Sequence, residues 1–424
     1  MRDEDHAFLA PLVEQAAREA RMRLEEAAGP TLGAILGGSL ARGEGTVWRD
    51  GDRVRALSDV DLAIVFADRA GRERGRAIAG DVARGLVRRM TGRGLLGPVD
   101  LGVYAREDLA RQAPRPGTLE MRRSGRVLWG PPDLTAHFPA LEERDVPREE
   151  ALVLLENRGI ELLHAWPGAI RADDVDRQLV AMYAGWKAVV DAAFAFVVAH
   201  GRCPATQQAR QAVLETLAVE GRSEALGTVL PDFFAQSSFW GAMKLAPDPT
   251  AIALRLGAPG AHDPPALARR AWREGARAHV AVARVLAAHG PHGPRRARLR
   301  RRVRRWLEEG RRFEALERQG RAPWPLRPWP ARARLVAAGA PEHQLGACGT
   351  ALLAGWSAPG SAGGEWRETM RRVFPGALPQ HLEWDPCRVA VVRLWDGMHM
   401  GGTRTAWDED RPEPITDSGE EMGS

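Results

Sequence analysis

Three acidic residues and one glycine-rich turn are the part of this sequence whose residue types and spacing could do chemistry. Gly37-Gly38-Ser39 directly follows a short apolar run, Asp59 and Asp61 open the next one, and Asp100 lies in a third. Residues i and i+2 of a strand point to the same face, so Asp59 and Asp61 project their carboxylates together. Asp100 joins them if its strand lies alongside. Clustered carboxylates repel one another and usually persist where a cation neutralises them.

The cation and the turn together indicate one class of reaction. Carboxylates with room for water suit Mg²⁺, which binds a few protein carboxylates together with substrate phosphates. A Gly-Gly-Ser turn offers backbone N–H groups and a hydroxyl at close range, which is a means of holding a triphosphate. The combination predicts two-metal phosphoryl or nucleotidyl transfer. Each residue taken alone is better explained by a turn, a cap or a strand edge, but the ordered set favours an active site. A copy that has lost acceptor binding is the main alternative.

The order of these residues resembles the polymerase-β-type nucleotidyltransferase superfamily. Gly38-Ser39, then Asp59-Val60-Asp61 and then Asp100 on a later strand carry the resemblance, which covers about residues 30–133. Within that superfamily the chain is most similar to the bacterial branch of aminoglycoside and minimal nucleotidyltransferases. Arg122–Gly130 also resembles the segment that closes such domains.

The resemblance implies a role for each matching residue. Gly38 and Ser39 would grip the nucleotide phosphates, and Asp59 and Asp61 would bind Mg²⁺. Gly37 is a further candidate for nucleotide binding because it belongs to the same Gly-Gly-Ser turn. Asp100 would bind the catalytic metal and help deprotonate the acceptor hydroxyl. All three acids are therefore expected to be both catalytic residues and metal ligands.

One departure from the family pattern concerns the space between the turn and the acid pair, where residues 40–58 form a longer connection than usual. Within it, Gly45–Leu57 has an Asp50-Gly51 centre between β-prone flanks. Asp-Gly between such flanks predicts a hairpin. A hairpin returns the chain near its start, so the insertion need not displace the carboxylates.

The elements that must position these residues follow from hydrophobic periodicity. An amphipathic helix is predicted over residues 3–28, ending at Gly29-Pro30. The pattern further predicts strands at Thr31–Leu36, Val60–Phe66 and Val99–Tyr104, a helix at Gly71–Met90, and an edge strand at Arg126–Trp129. Such an order indicates an α/β core with a mixed sheet.

After this core the sequence changes character. Helical patterns fill Arg148–Trp166, Val175–His200, Thr206–Val219 and Pro265–His289. The predicted class is therefore α+β, with a nucleotidyltransferase domain at 1–140, a mainly helical domain at 147–290, and an Arg/Trp-rich C-terminal extension at 291–407 without an assigned fold. The acidic segment 408–424 lacks apolar periodicity and is expected to be disordered.

Composition places the chain among ordinary globular proteins. It has 424 residues and a net charge of +5, and Lys187 and Lys244 are its only lysines among 60 basic residues. This arginine excess is typical of a GC-rich bacterial genome, so arginine counts carry little functional weight. Three distant cysteines (Cys203, Cys348, Cys387) suit a reducing cytoplasm. The polar N-terminus does not resemble a secretory signal, and no apolar run approaches the roughly 18–20 residues of a membrane helix.

Weaker signals lie outside the acid set. Lys187 is four residues after Tyr183 on a predicted helix, and in the related enzymes a lysine on such a helix reaches the nucleotide phosphates. A solvated lysine explains it equally well. Arg158-x5-His164 and a second Arg–His pair match the spacing of HEPN-type ribonucleases, but chance explains both in so arginine-rich a chain. Arg295–Arg312 could bind a phosphate backbone, although a solvated helix face is favoured.

These observations lead to one expected function with several alternatives. We expect an Mg²⁺-dependent nucleotidyltransferase that moves a nucleoside monophosphate, AMP first of all, from a triphosphate such as ATP to an acceptor hydroxyl. The expected acceptor is a small molecule, and nucleic acid is not favoured as a partner. The alternatives are a protein-AMPylating antitoxin-type enzyme, an RNA-end nucleotidyltransferase, and a non-catalytic nucleotide-binding regulatory module.

Overall fold

The computed structural model describes residues 2–222, 224–257 and 263–289, and also positions 349, 350, 352–354, 367, 384, 385, 387–389, 391 and 392. The described chain is α+β, with a mixed sheet near its start and helices after it. The strands are β1 (Thr31–Leu36), β2 (Val47–Asp50), β3 (Arg53–Ala56), β4 (Val60–Phe66), β5 (Val99–Ala105) and β6 (Arg126–Trp129). The helices up to the sheet's end are α1 (Asp3–Ala28), α2 (Gly38–Ala41), α3 (Arg69–Thr91), α4 (Arg106–Leu109) and α5 (Pro116–Ser124). Those that follow are α6 (Glu150–His164), α7 (Val175–Ala199), α8 (Gln207–Val219), α9 (Glu224–Val229), α10 (Phe233–Leu245), α11 (Pro249–Arg255) and α12 (Pro264–His289).

The main sheet has four strands in the order β5-β4-β1-β6. β1 pairs antiparallel with β4 and with β6, whereas β4 and β5 are parallel and joined through α3. In the parallel pair Asp61 lies opposite Asp100. The predicted mixed sheet is therefore confirmed, and its register brings two of the three acids to adjacent positions.

The two faces of the sheet bury different layers. Val60, Leu62 and Ile64 of β4 pack into a core with α1 and α3, whereas the alternate residues Ala63 and Val65 pack on the opposite face. Because side chains alternate along a strand, Asp59 and Asp61 share the face of Ala63 and Val65. The same alternation places Asp100 on that face of β5. All three acids thus point away from α1 and α3.

Local signals define the helices that cover the sheet. Three acids in the first turn of α1 complement the helix dipole, and Gly29 ends it with a φ of 89°. Asp68 caps α3 by accepting a hydrogen bond from the Gly71 N–H. These bounds confirm the two predicted helices to within two residues.

The predicted hairpin is also confirmed. β2 and β3 form a separate two-stranded sheet whose turn contains Gly51 at a φ of 57°. Its apolar side chains divide between two cores: Val47 and Ala56 pack into the core with α1 and α3. Trp48 and the following Leu57 belong to the core of the helical part. The insertion therefore joins the two parts of the protein.

The helical part is built around α7, which packs along α12 and α6. Gly185 and Gly275 permit the close α7–α12 contact, since a Cβ on Gly185 would lie 2.4 Å from the backbone of Ala271. Contrary to the sequence expectation, α7 is long and apolar enough to cross a membrane by composition, but 83% of its most apolar window is buried inside the protein. It serves here as a core helix.

Two sequence expectations need comment. Helices α9, α10 and α11 occupy a region where no element was predicted. Of the expected C-terminal extension, Leu352, Leu353 and Val391 pack against α6 and α12, while the Arg295–Arg312 run and the acidic segment 408–424 lie outside the described residues.

Candidate active site

The three acids lie at the N-terminal ends of β4 and β5, on the sheet face opposite α1 and α3. Asp61 and Asp100 are half-buried, and their Cα atoms are register partners on parallel strands. Neither carboxylate has a hydrogen bond or ion pair to any described part of the chain. Buried and half-buried carboxylates normally have partners, so two adjacent ones without any are unusual.

Burial and mutual repulsion destabilise the charged forms of these acids. Burial, followed by the charge of Asp59, raises the pKa of Asp61 to about 6. Burial also raises the pKa of Asp100 well above its usual value, and the charges of Asp61 and Asp59 raise it further. A positive charge placed between them would lower both pKa values, so the site favours a cation.

The glycine turn lies directly against Asp61. The Gly37 N–H donates to the Asp61 carbonyl at 2.8 Å, which holds the end of β1 beside β4. Gly38 has a φ of 63°, and a Cβ there would lie 1.9 Å from Asp61 Oδ2. Both the backbone conformation and the lack of space therefore require glycine. The half-buried Ser39 hydroxyl has no hydrogen-bond partner within the described chain.

Lys187 reaches this site from α7. Its Nζ donates to Asp59 Oδ2, and the two side chains are 15% and 23% exposed. Burial and Arg158 lower the pKa of Lys187, but Asp59 and Glu161 raise it more, so the ammonium form is stabilised. The structure thus places this predicted phosphate ligand at the site, in contact with an acid.

Behind Lys187 a second group of charges forms an ion-pair cluster in which Arg158 is buried, whereas the Asp191 and Glu161 side chains are 19% and 53% exposed. The Arg158 guanidinium pairs with Asp191 at 2.5 Å and with Glu161. Arg158 lowers the pKa of Asp191, more strongly than Lys187 does, against the effect of burial. Glu161 also acts on the site, because its charge raises the pKa of Asp100. Ion pairs with Asp191 and Glu161 therefore account for Arg158, the arginine of the Arg158-x5-His164 motif.

A third charged group joins the sheet domain to the helical part. Arg42 donates to Glu44 at 2.9 Å and to Glu120 at 2.5 Å, and Arg210 of α8 also donates to Glu120. Glu44 in turn accepts the Gln207 N–H at 2.7 Å. These side chains fix α2, α5 and α8 around the turn that precedes the acids.

The tyrosine predicted beside Lys187 has a positioning role in the same interface. Tyr183 lies 3.5 Å from both Thr46 Oγ1 and Ser58 Oγ, and Thr46 Oγ1 also donates to the Lys244 carbonyl at 2.8 Å. The start of the hairpin and the residue before Asp59 are therefore anchored to α7 and α10.

A metal cluster is not preformed. Among the described residues, no group of three His, Cys, Asp or Glu side chains has the arrangement to hold a metal ion. Asp61 and Asp100 are adjacent, but Asp59 is held by Lys187 instead. The metal assignment of Asp59, Asp61 and Asp100 therefore stays a prediction, as does the phosphate role of Gly37, Gly38 and Ser39.

Sequence reasoning missed the charged residues that surround the acids. Asp191 offered a signal, because it is a lone acid within the apolar run of α7, where an unpaired charge would be costly. Glu161, Arg42 and Glu120 lie on ordinary amphipathic or loop segments, where the sequence shows nothing unusual about them.

Comparison of the chain with models of protein families, with characterised proteins and with solved structures returns no match.

Proposed function

We propose that this chain is an Mg²⁺-dependent nucleotidyltransferase. It would transfer a nucleoside monophosphate, in the first instance AMP from ATP, to an acceptor hydroxyl and release pyrophosphate. One observation carries the proposal: Asp61 and Asp100 lie side by side, half-buried, and have no partner among the described residues. Paired acids that served only the fold would be expected to have such partners.

The donor chemistry of Asp61 and Asp100 suits a magnesium ion, and Asp59 would join them on leaving Lys187. The available ligands are carboxylate oxygens, and burial together with the charge of Asp59 raises the pKa of Asp61, so a cation beside it would be favoured. Because Gly38 has no Cβ, the Asp61 carboxylate can lie close against the turn that would hold the phosphates. Asp59, Asp61 and Asp100 would hold the ion. When bound, Mg²⁺ would polarise the α-phosphate and neutralise charge on the attacking and leaving oxygens.

The chain's own residues would supply the remaining steps. The Ser39 hydroxyl and the backbone of the glycine turn would hold the phosphates, and Lys187 would neutralise the β- and γ-phosphates. The acceptor oxygen would attack the α-phosphorus in line, while the bond from that phosphorus to the β-phosphate bridging oxygen breaks. Asp100 would accept the acceptor's proton. Pyrophosphate would leave with the bonding electron pair.

Label transfer tests this proposal. Wild type, Asp61→Asn and Asp59→Asn are incubated separately with each α-³²P-labelled triphosphate, Mg²⁺ and a cell extract. The matched control is Asp52→Asn, because Asp52 is an exposed acid in the hairpin turn. We expect label from ATP to reach an acceptor with wild type and the control, and about a hundredfold more slowly with the site variants.

The outcomes separate the alternatives. Equal labelling by wild type and Asp61→Asn would remove the assignment. The mass of a labelled product distinguishes a small molecule from a protein or an RNA end. Nucleotide binding without pyrophosphate release in any extract would indicate a non-catalytic regulatory module.

A further inference from the structure

The contact between Lys187 and Asp59 places a protein cation where the proposed function requires a metal ion. Lys187 belongs to α7, and Asp59 directly precedes β4. Their side chains are largely shielded from water, where charges interact more strongly than in bulk solvent. An ammonium and a divalent ion at one carboxylate repel each other, so the two compete for Asp59.

We propose that Lys187 is an internal counter-cation that holds Asp59 until a nucleotide arrives, so that divalent metal binds tightly only together with a nucleoside triphosphate. The inference rests on the proposed function, because it takes Asp59 to be a metal ligand. It goes further in assigning to this chain an order of binding, with the free metal ion excluded and the metal–nucleotide complex admitted.

The charges around Lys187 explain why its ammonium stays at Asp59. Arg158 lies behind it and is already paired with Asp191 and Glu161. The positive charge of Arg158 repels the Lys187 ammonium. This repulsion favours a Lys187 conformation in which Nζ lies beside Asp59. The aromatic ring of Tyr183 is 6.0 Å from Nζ, so it is a weaker alternative contact.

A nucleotide would change this balance. A free divalent ion brings only positive charge to a carboxylate that Lys187 already neutralises. A metal–triphosphate complex brings negative phosphate oxygens as well, which offer the ammonium a new partner within reach of its flexible stem. Removal of the ammonium should therefore have opposite effects, strengthening binding of free metal and weakening binding of the metal–nucleotide complex. A residue that only supports the fold would not produce opposite signs.

Metal binding measures these two effects directly. Mn²⁺ replaces Mg²⁺ as an EPR-visible probe, and α,β-methylene-ATP replaces ATP so that the bond under attack cannot break. For Lys187→Met we expect free Mn²⁺ to bind about tenfold more tightly and the Mn²⁺–nucleotide complex about tenfold more weakly than in wild type, a coupling of common size. Lys187→Arg keeps the charge and should still bind free Mn²⁺ weakly.

A second measurement follows the lysine side chains of the wild-type protein by NMR. Because Lys187 and Lys244 are the only lysines, ¹³Cε-lysine labelling gives two side-chain NMR signals, which Lys187→Arg assigns. Lys244 is buried and donates to the Glu44 carbonyl, so its signal serves as the internal reference. We expect millimolar Mg²⁺ alone to leave the Lys187 signal in place, and Mg²⁺ with the ATP analogue to move it.

The results distinguish the two proposals. If wild type binds neither free Mn²⁺ nor the complex, both the nucleotidyltransferase proposal and this inference are refuted. If wild type binds the complex, but Lys187→Met binds free Mn²⁺ no better than wild type, the inference fails and the proposed function stands. The inference also fails, and the proposed function stands, if Mg²⁺ alone shifts the Lys187 signal as much as Mg²⁺ and the ATP analogue do together.

Discussion

Gly38→Ala tests why the turn after β1 has glycine at this position. Glycine could be required by the close approach of the Asp61 carboxylate, or only by the left-handed backbone conformation of the turn. Gly38 has a φ of 63°, and its added Cβ would lie 1.9 Å from Asp61 Oδ2. Gly43 is the matched control, because it has a similar φ of 71° in the following loop but nothing within 4 Å of its Cβ position. The two substitutions impose the same kind of backbone strain, and only Gly38→Ala obstructs the acid.

The structure sets the size of both effects. A left-handed conformation costs an alanine about 1 kcal/mol, so both variants should lose about that much unfolding free energy. Since real Cβ atoms stay at least 3.0 Å from such neighbours, the Asp61 carboxylate and the glycine turn must separate by about 1 Å in Gly38→Ala. A displacement of that size at a reacting centre costs about a hundredfold in rate. We therefore expect similar stabilities but very different activities.

Urea unfolding and α-³²P label transfer, measured on both variants and on wild type, decide the matter. Gly43→Ala should transfer label within a few-fold of wild type, and Gly38→Ala about a hundredfold more slowly. Equal transfer rates for the two variants would refute the reasoning, because they would show that the position of Asp61 does not limit the reaction.

Two further predictions concern buried charges in the helical part. Arg158→Met should lower the unfolding free energy by about 3 kcal/mol in urea titrations, because it leaves the largely buried Asp191 without its guanidinium. Adding Asp191→Asn should restore part of that loss, and a double variant no more stable than Arg158→Met would contradict the pairing. Burial, followed by the charge of Arg158, lowers the pKa of His279 to about 4, whereas an unfolded histidine titrates near 6.5. The folded state therefore favours neutral His279, and this stabilisation is complete above pH 6.5 and is lost as the pH falls toward 4. Between about pH 7.5 and 4.5 wild type should lose roughly 2 kcal/mol more than His279→Gln, and parallel pH profiles would exclude this role.

Much of the sheet domain could be predicted from local pattern. The bounds of β1, β4 and β6 agree with those predicted, and β5 extends by one residue, because continuous apolar runs between turn residues are typical of buried strands. Strand alternation also placed Asp59 and Asp61 on one face. The hairpin was predicted by its Asp-Gly turn.

Local pattern failed where elements are short or their periodicity is weak. α9 and α11 have six and seven residues, too few for a clear helical period. α10 is longer, but its apolar residues surround the helix more evenly, so no single face stands out. Helices of this kind are stabilised by packing against neighbours such as α7 and α8 rather than by their own sequence.

The sequence by itself determined where the strands that bring the three acids together begin and which face of each strand is buried, because side-chain alternation and hydrophobic burial are properties of neighbouring residues. Only the tertiary structure decided which charges neutralise which. Lys187 pairs with Asp59, which is 128 residues away in the sequence. Arg158 forms an ion pair with Asp191 and not with the three acids of the candidate site. Such pairings depend on which helices pack over the sheet, and the interaction between two charges depends on their distance in space and not on their separation along the chain.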